Sequence, residues 1–276
     1  MVPPNNLGLD LNGKFVNETR YRGMIRSLMY LSASRPDIQF STYLYARYQE
    51  NHKESHLIVV KRIFRYLKGT PILGLWYLKC LGFNLKGYSD SDYAGCNMDR
   101  KSTLGACQLL GCKLMCWSAK KQQSVAMSSA EAEYVAAAGC CANILWMKSQ
   151  LADYDIIYEK IPIFCNNTSA IAILNNPVLY SRTKHIDISY HFIRDHILKG
   201  DIELHFIPTQ YQLVDIFTKP SDEPTFKRLI VELGMMNIDS KPEASALTEK
   251  SEALVSSSKT EQIFMLNVSS VFAYNL

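Results

Sequence analysis

Three acidic residues lie at points where the pattern of the sequence changes. Asp90 closes an alternating apolar and polar run, Glu133 lies one turn into a helical segment, and Asp215 lies in a short apolar segment. Active groups of mixed α/β proteins gather at strand ends, where distant loops meet. Clustered carboxylates are typical metal ligands. The three residues therefore predict a shared carboxylate site that binds metal ions.

Each acid also has a structural alternative. Ser128 and Glu131 have the spacing of a capping box, so Glu131 is expected at the helix start while Glu133 stays free for a site. Thr209 and Gln212 repeat that spacing, which places Asp215 beyond a helix cap, where a lone acid could simply face solvent. Asp92 could belong to a turn, because Gly and Asn follow it.

Other kinds of site find less support in the sequence. The segment 87–91 lacks the final glycine of a nucleophile elbow, and there is no phosphate-binding or dinucleotide-binding glycine motif. His191 and His196 are five residues apart and do not share a helix face. The eight cysteines contain no Cys-x-x-Cys, so we expect no structural zinc. Cys140 and Cys141 lie among alanines, which favours reduced thiols in a core.

The hydrophobic pattern divides the chain into a helical part and a mixed part. Residues 21–49 are predicted to be helical with a break at Arg35-Pro36, and 53–67 form an amphipathic helix. Strands are predicted at 83–90, 102–110, 113–118, 161–165 and 202–207, and further helices begin near 129, 168, 184 and 209. Three successive strands followed by alternating helices and strands predict one mixed α/β sheet with helices on its faces.

Composition and charge limit the class of protein. The chain has 276 residues, of which 47% are hydrophobic and 20% charged, which excludes disordered and coiled-coil chains. No apolar run approaches the roughly 20 residues of a membrane helix, and no signal peptide is visible, so we expect an intracellular protein without a membrane anchor. Residues 1–80 hold 12 Lys and Arg against 5 Asp and Glu, and chance asymmetry or contact with a polyanion could explain this excess.

Several motifs resemble the C-terminal part of copia-type retrotransposon Pol polyproteins, where reverse transcriptase continues into ribonuclease H. They occur in the family's order over about residues 20–221. The matching segments are Tyr21–Leu31 with Ser34–Ile38, Arg65–Thr70, Tyr88–Gly95 with Asp99–Thr103, Ala132–Tyr134, Thr183–Asp187 and Asp215–Pro220.

The resemblance implies a ribonuclease H-like fold, with a mixed five-stranded sheet and helices on both faces, that cuts the RNA strand of RNA–DNA hybrids. Family members use four carboxylates and two Mg²⁺ ions, which Mn²⁺ can replace. Asp90, Glu133 and Asp215 would be three of these ligands. The fourth position holds Asn166, whose neutral amide removes a compensating charge, so we expect weak metal occupancy and slow cleavage.

The resemblance also implies partners and a domain division. Expected partners are the RNA–DNA hybrid and other parts of the polyprotein, in the cytoplasm and in virus-like particles. Residues expected to contact nucleic acid are Lys61, Arg62, Arg65, Lys68, Arg100, Lys101 and Lys184, although a solvated basic helix face would look the same.

The predicted units are a lead (1–20), a helical remnant of reverse transcriptase (21–80), the ribonuclease H-like domain (81–221), a C-terminal helix (222–234) and a poorly ordered tail (235–276). The polymerase's paired-aspartate motif is absent from the sequence, so we expect no DNA synthesis. The alternative function is a silent nucleic-acid-binding remnant.

Overall fold

The computed structural model describes residues 8, 10–77, 82–111, 113–175 and 187–238, with the side chains of 175 and 187–191 excepted. In this part of the chain the helices are α1 (Glu18–Leu31), α2 (Gln39–Ala46), α3 (Glu54–Gly69), α4 (Ser129–Ala152), α5 (Thr168–Asn175), α6 (Asp187–Lys199), α7 (Asp215–Thr218) and α8 (Glu223–Glu232). The strands are β1 (Leu73–Leu75), β2 (Leu85–Asp92), β3 (Thr103–Leu110), β4 (Lys113–Lys121), β5 (Ile161–Cys165), β6 (Ile202–Phe206) and β7 (Met235–Asn237). None of the described helices is long and apolar enough to span a bilayer.

The central sheet is mixed. Its strand order is β4-β3-β2-β5-β6, with antiparallel pairing from β4 to β2 and parallel pairing from β2 to β6. The hairpin residue Gly111 has φ 55°, which suits glycine because it has no Cβ. This arrangement confirms the predicted ribonuclease H-like α/β fold class, and it places β2 at the centre of the sheet.

Helices cover both faces of this sheet. On one face, α4 packs over β2, β3 and β5 through a core that contains Cys140, Ile144 and Ile163. On the other face, α7 and α8 pack through Phe217 and Leu229. Cys140 and Cys141 are buried in the first core, as their alanine-rich surroundings predict.

The N-terminal helices form their own core and contact the sheet. Tyr21 and Ile25 of α1 are fully buried in a cluster that includes Val60 of α3. The Trp117 indole N–H of β4 donates to the Ser32 carbonyl at 3.2 Å, a buried hydrogen bond between the two parts. The predicted break falls at Arg35-Pro36, where a 3₁₀ turn (Pro36–Ile38) separates α1 from α2.

Three sequence-based boundaries are wrong. β2 continues to Asp92, so Asp90 lies inside a strand rather than at its end, because ladder pairing with β3 extends to the Asp92–Thr103 pair. The expected tail begins later than residue 235, because Met235–Asn237 pair with β1 in a second small sheet. The predicted cap at Thr209 is absent: residues 209–211 form a 3₁₀ turn, and Asp215 itself begins α7. Residues 239–276 lie outside the described residues.

A glycine sets the distance between α7 and the sheet. Gly105 of β3 lies directly opposite Asp90 in the ladder. A Cβ at this position would come within 2.6 Å of both Val214 and Thr218, a distance that atoms do not tolerate. The bare backbone of Gly105 therefore lets α7 approach β2 closely.

We expect Gly105→Ala to push α7 away from the sheet and to lower the free energy of unfolding by about 1–3 kcal/mol. The matched control is Gly139→Ala, an exposed helical position with no atom within 4 Å of a new Cβ. That change should stabilise the protein by about 0.5–1 kcal/mol. Urea unfolding of both variants checks the prediction, and equal effects of the two changes would contradict it.

Candidate active site

Asp90 of β2 and Asp215 of α7 meet because α7 is held against the strand. The buried Thr218 hydroxyl donates to Asp90 Oδ2 at 2.5 Å. Asp90 and Asp215 are close enough that, in addition to burial, the negative charge of Asp90 raises the pKa of Asp215. Both acids are more than nine-tenths buried, although 125 residues of sequence separate them.

Gln212 positions the segment that leads into α7. Its side chain is fully buried, and its Nε2 donates to the Ser89 carbonyl at 2.9 Å. Its Oε1 accepts from the Val214 N–H at 3.3 Å. One amide thus ties the start of α7 to β2 one residue before Asp90, a role that differs from the predicted cap.

Glu133 reaches the same place from the first turns of α4. Ser128 Oγ accepts from the Glu131 N–H at 3.1 Å, and Glu131 Oε2 accepts from the Met127 N–H at 2.8 Å, so Glu131 is occupied at the helix start as predicted. The Ser91 backbone and the charge of Asp90 both act on the Glu133 carboxylate, so Glu133 lies beside this part of β2. Asp90 therefore acts electrostatically on both of the other acids.

A buried glutamine also fixes α4 to the sheet. Gln122, which follows β4, donates from Nε2 to the Ala132 carbonyl at 2.9 Å. Its Nε2 also lies 3.5 Å from Ser91 Oγ, at the edge of hydrogen-bonding distance. The helix turn that carries Glu133 is therefore positioned by a side chain from a different element.

Burial and mutual repulsion raise the pKa values of the acids. The pKa of Glu133 rises to about 9, because burial penalises the charged form and Asp90 adds a negative charge beside it. Burial raises the pKa of Asp215 to about 6, although the positive charge of Lys219 opposes the increase. The pKa of Asp92 is raised as well, by burial and by Asp90. The pocket therefore has an excess of negative potential and favours protons or other cations.

The β5 end of the site carries an amide. Asn166 directly follows Cys165, whose Sγ lies 3.9 Å from Glu133 Oε2. The Oδ1 atom of Asn166 is buried and has no hydrogen-bond partner among the described residues. Asn167, by contrast, accepts from the Ala170 N–H at 3.0 Å at the start of α5. Asn166 therefore offers an unused oxygen one residue after a thiol that lies beside Glu133.

The chemistry of these groups fits a hard divalent cation. They supply carboxylate oxygens and one unpaired amide oxygen, the ligand types that Mg²⁺ prefers. Over the described ranges, no three His, Cys, Asp or Glu side chains form a ready-made metal site. The buried carboxylates instead repel one another, and a bound proton or a cation would relieve this repulsion.

Among the residues predicted to contact nucleic acid, those on α3 present a basic surface. Arg62, Arg65 and Lys68 are exposed, and Lys61 is half-buried. Arg100 is exposed and has φ 56° in the turn before β3, and Lys101 next to it is half-buried. Lys184 lies outside the described residues.

Sequence reasoning missed the residues that position or balance the acids. Thr218 and Lys219 belong to the quoted Asp215–Pro220 motif, so their proximity to Asp215 was visible, but their contacts were not. Arg47, which directly follows α2, donates to Thr103 Oγ1 at 3.0 Å and acts electrostatically on Asp92. No local pattern links Arg47 to a strand that lies 56 residues further along the chain.

Comparisons with known proteins relate the chain to mobile elements. It is 38% identical over 239 residues to the "Retrovirus-related Pol polyprotein from transposon RE1" of Arabidopsis thaliana, covering 86% of this chain and 16% of that protein. It is 35% identical over 205 residues to the corresponding protein from transposon TNT 1-94 of Nicotiana tabacum, covering 72% of this chain and 15% of that protein. The chain is a relative of retrotransposon Pol polyproteins.

Two other comparisons add less. No protein-family model matches. The solved structure "LC11-RNase H1 in complex with RNA/DNA hybrid" aligns with a TM-score of 0.35 and 10% identity, over 49% of this chain and 93% of that chain. The match to the Pol polyproteins therefore carries the family relationship, and this chain spans about a sixth of their length.

The raised pKa of Glu133 predicts a pH dependence of stability. The folded protein keeps this proton between pH 4.5 and about 9, where the unfolded chain has released it. The stability of the metal-free protein should therefore fall as pH rises through this range. We expect Glu133→Gln to remove much of the fall and to stabilise the metal-free protein at pH 8.

Urea unfolding in chelator from pH 5 to 9 measures this effect. The control is Glu159→Gln, which changes the same group at an exposed position and should keep the wild-type slope. An unchanged slope in Glu133→Gln would contradict the assigned burial of Glu133.

Proposed function

We propose that this Pol relative is a ribonuclease H that hydrolyses the RNA strand of RNA–DNA hybrids with divalent metal ions, preceded by the end of a reverse transcriptase. The observation that carries the proposal is the position of buried Asp90, which accepts a hydrogen bond from Thr218 of α7 and whose charge, in addition to burial, raises the pKa of both Glu133 and Asp215, carried on separate helices. The proposal is supported by the place of Asp90 on the central strand of the five-stranded sheet, and the Pol relatives supply a biological context for hybrid substrates.

The chain's own residues would hold and orient the cations. Asp90, Glu133 and Asp215 would be the ligands, and bound Mg²⁺ would activate water and stabilise the leaving oxygen. Thr218 and Gln212 keep α7 against β2, so that Asp215 stays beside Asp90. Hybrid selectivity would come from contacts to 2′-hydroxyls and duplex shape rather than base sequence.

Asn166 would limit this activity. An amide gives a metal one neutral oxygen where the family pattern places an anion, so two closely spaced dications lose part of their charge compensation. The unpaired Oδ1 of Asn166 supports a role at the site. The same substitution favours the second candidate, a hybrid-binding protein that no longer cuts.

Cleavage of a labelled RNA–DNA hybrid by the full chain separates the two candidates. The proposal expects slow cutting that needs Mg²⁺ or Mn²⁺, stops in chelator and is lost in Asp90→Asn. Tight binding without any cutting would select the second candidate. Cutting that persists in chelator or in Asp90→Asn would overturn the assignment of the site.

We expect Asn166→Asp to raise the cleavage rate by about tenfold or more, because it restores a negative ligand to the site. The matched control is Asn167→Asp, which adds the same charge one residue away and keeps an acceptor for the Ala170 N–H. Single-turnover rates at saturating hybrid measure both changes. Equal rates for wild type and Asn166→Asp would contradict the role given to Asn166.

The N-terminal helices would contribute to substrate binding. Arg47 contacts Thr103 of β3. Thr103 pairs with Asp92, the last residue of β2, two residues beyond Asp90. A guanidinium beside a nuclease site is well placed for a backbone phosphate. This contact would make the upstream helices part of the hybrid-binding surface.

We expect Arg47→Gln to weaken hybrid binding several-fold and to reduce the slope of log K against log salt concentration by about one. Arg26→Gln on the exposed side of α1 is the control of equal charge. Binding is measured in chelator, so that cutting does not interfere, and thermal unfolding checks that the docking of α2 is intact. Equal affinities of the two variants would contradict the assignment.

A further inference from the structure

Lys219 places a positive charge against the acids. It follows α7 directly, and its Nζ lies 2.8 Å from Asp215 Oδ1. The Lys219 side chain is 36% exposed, so it is partly shielded from water but remains accessible to solvent. This contact differs from the other lysine pair near the C-terminus, Lys227 with Glu223, in which both side chains are more than 60% exposed.

The charge of Lys219 acts on the whole group of acids. It interacts electrostatically with Asp90, Glu133 and Asp92 as well as with Asp215. Among the described interactions, Arg47, which directly follows α2, is the other cation that acts electrostatically on this group, through Asp92. Buried carboxylates without a counter-charge repel one another, so a nearby ammonium stabilises their arrangement.

We propose that Lys219 is an internal counter-ion that holds the carboxylates together in the metal-free protein and leaves Asp215 when a divalent cation binds. This inference rests on the proposed metal site. A dication and an ammonium that share one carboxylate oxygen repel each other at short range. Metal binding therefore includes the cost of displacing Lys219, and this displacement weakens the apparent affinity.

Isothermal titration of the full chain with Mn²⁺ tests the proposal. We expect Lys219→Met to bind Mn²⁺ about tenfold more tightly than wild type, because the competing charge is gone. Its metal-free form should unfold at a lower temperature, and Mn²⁺ should raise its Tm by more than it raises the wild-type Tm. Lys219→Arg keeps the charge and should bind Mn²⁺ as wild type does.

The control is Lys227→Met, which removes a lysine from an exposed pair on α8 and should leave Mn²⁺ affinity unchanged. If Lys219→Met does not fold, Lys219→Gln provides the same comparison with a polar side chain. Equal or weaker Mn²⁺ binding by the neutral variants would overturn the proposal while the metal site stands. Failure of every variant and of wild type to bind Mn²⁺ would overturn the metal site as well.

Discussion

Repulsion between buried carboxylates is the interaction on which this structure depends. Asp90, Glu133 and Asp215 are each at least nine-tenths buried, and the charge of Asp90 acts on the other two, so they cannot all be ionised there without a compensating charge. A proton on Glu133, the ammonium of Lys219 and a divalent cation are three ways to supply that charge. We interpret the site as one in which these three compete.

The surrounding fold maintains that crowded arrangement. Gly105 removes a Cβ that would keep α7 away, and Gln212 ties the start of α7 to β2. Gln122 does the same for α4. Packing and hydrogen bonds between neutral groups keep the acids together against their mutual repulsion. Because the negative charges remain close, the site attracts positive charge. Polar side chains that touch no ligand thus determine how the acidic ones behave.

The relation to retrotransposon Pol polyproteins suggests why the N-terminal helices are attached to the sheet. They form a core of their own, yet Trp117 and Arg47 make specific contacts between them and the sheet. In a longer polyprotein, such contacts would keep an upstream unit in a constant orientation relative to the acids around Asp90. The basic surface of α3 and the guanidinium of Arg47 belong to the same unit, which is consistent with the proposed binding of a hybrid by this unit.

Local pattern in the sequence determined the type and approximate bounds of most elements and singled out the three acids, because hydrophobic period and motif spacing are properties of neighbouring residues. The amide at position 166 was singled out by the family resemblance. The tertiary structure alone decided that Asp90 lies within β2 rather than at its end, that residues 235–237 join a strand, and that Gln212 ties α7 to β2 instead of capping a helix. It also decided the contact of Lys219 and the place of Arg47. The physical reason is that ladder pairing, charge compensation and close packing depend on contacts between residues that are far apart along the chain. The local sequence does not determine which of these residues meet.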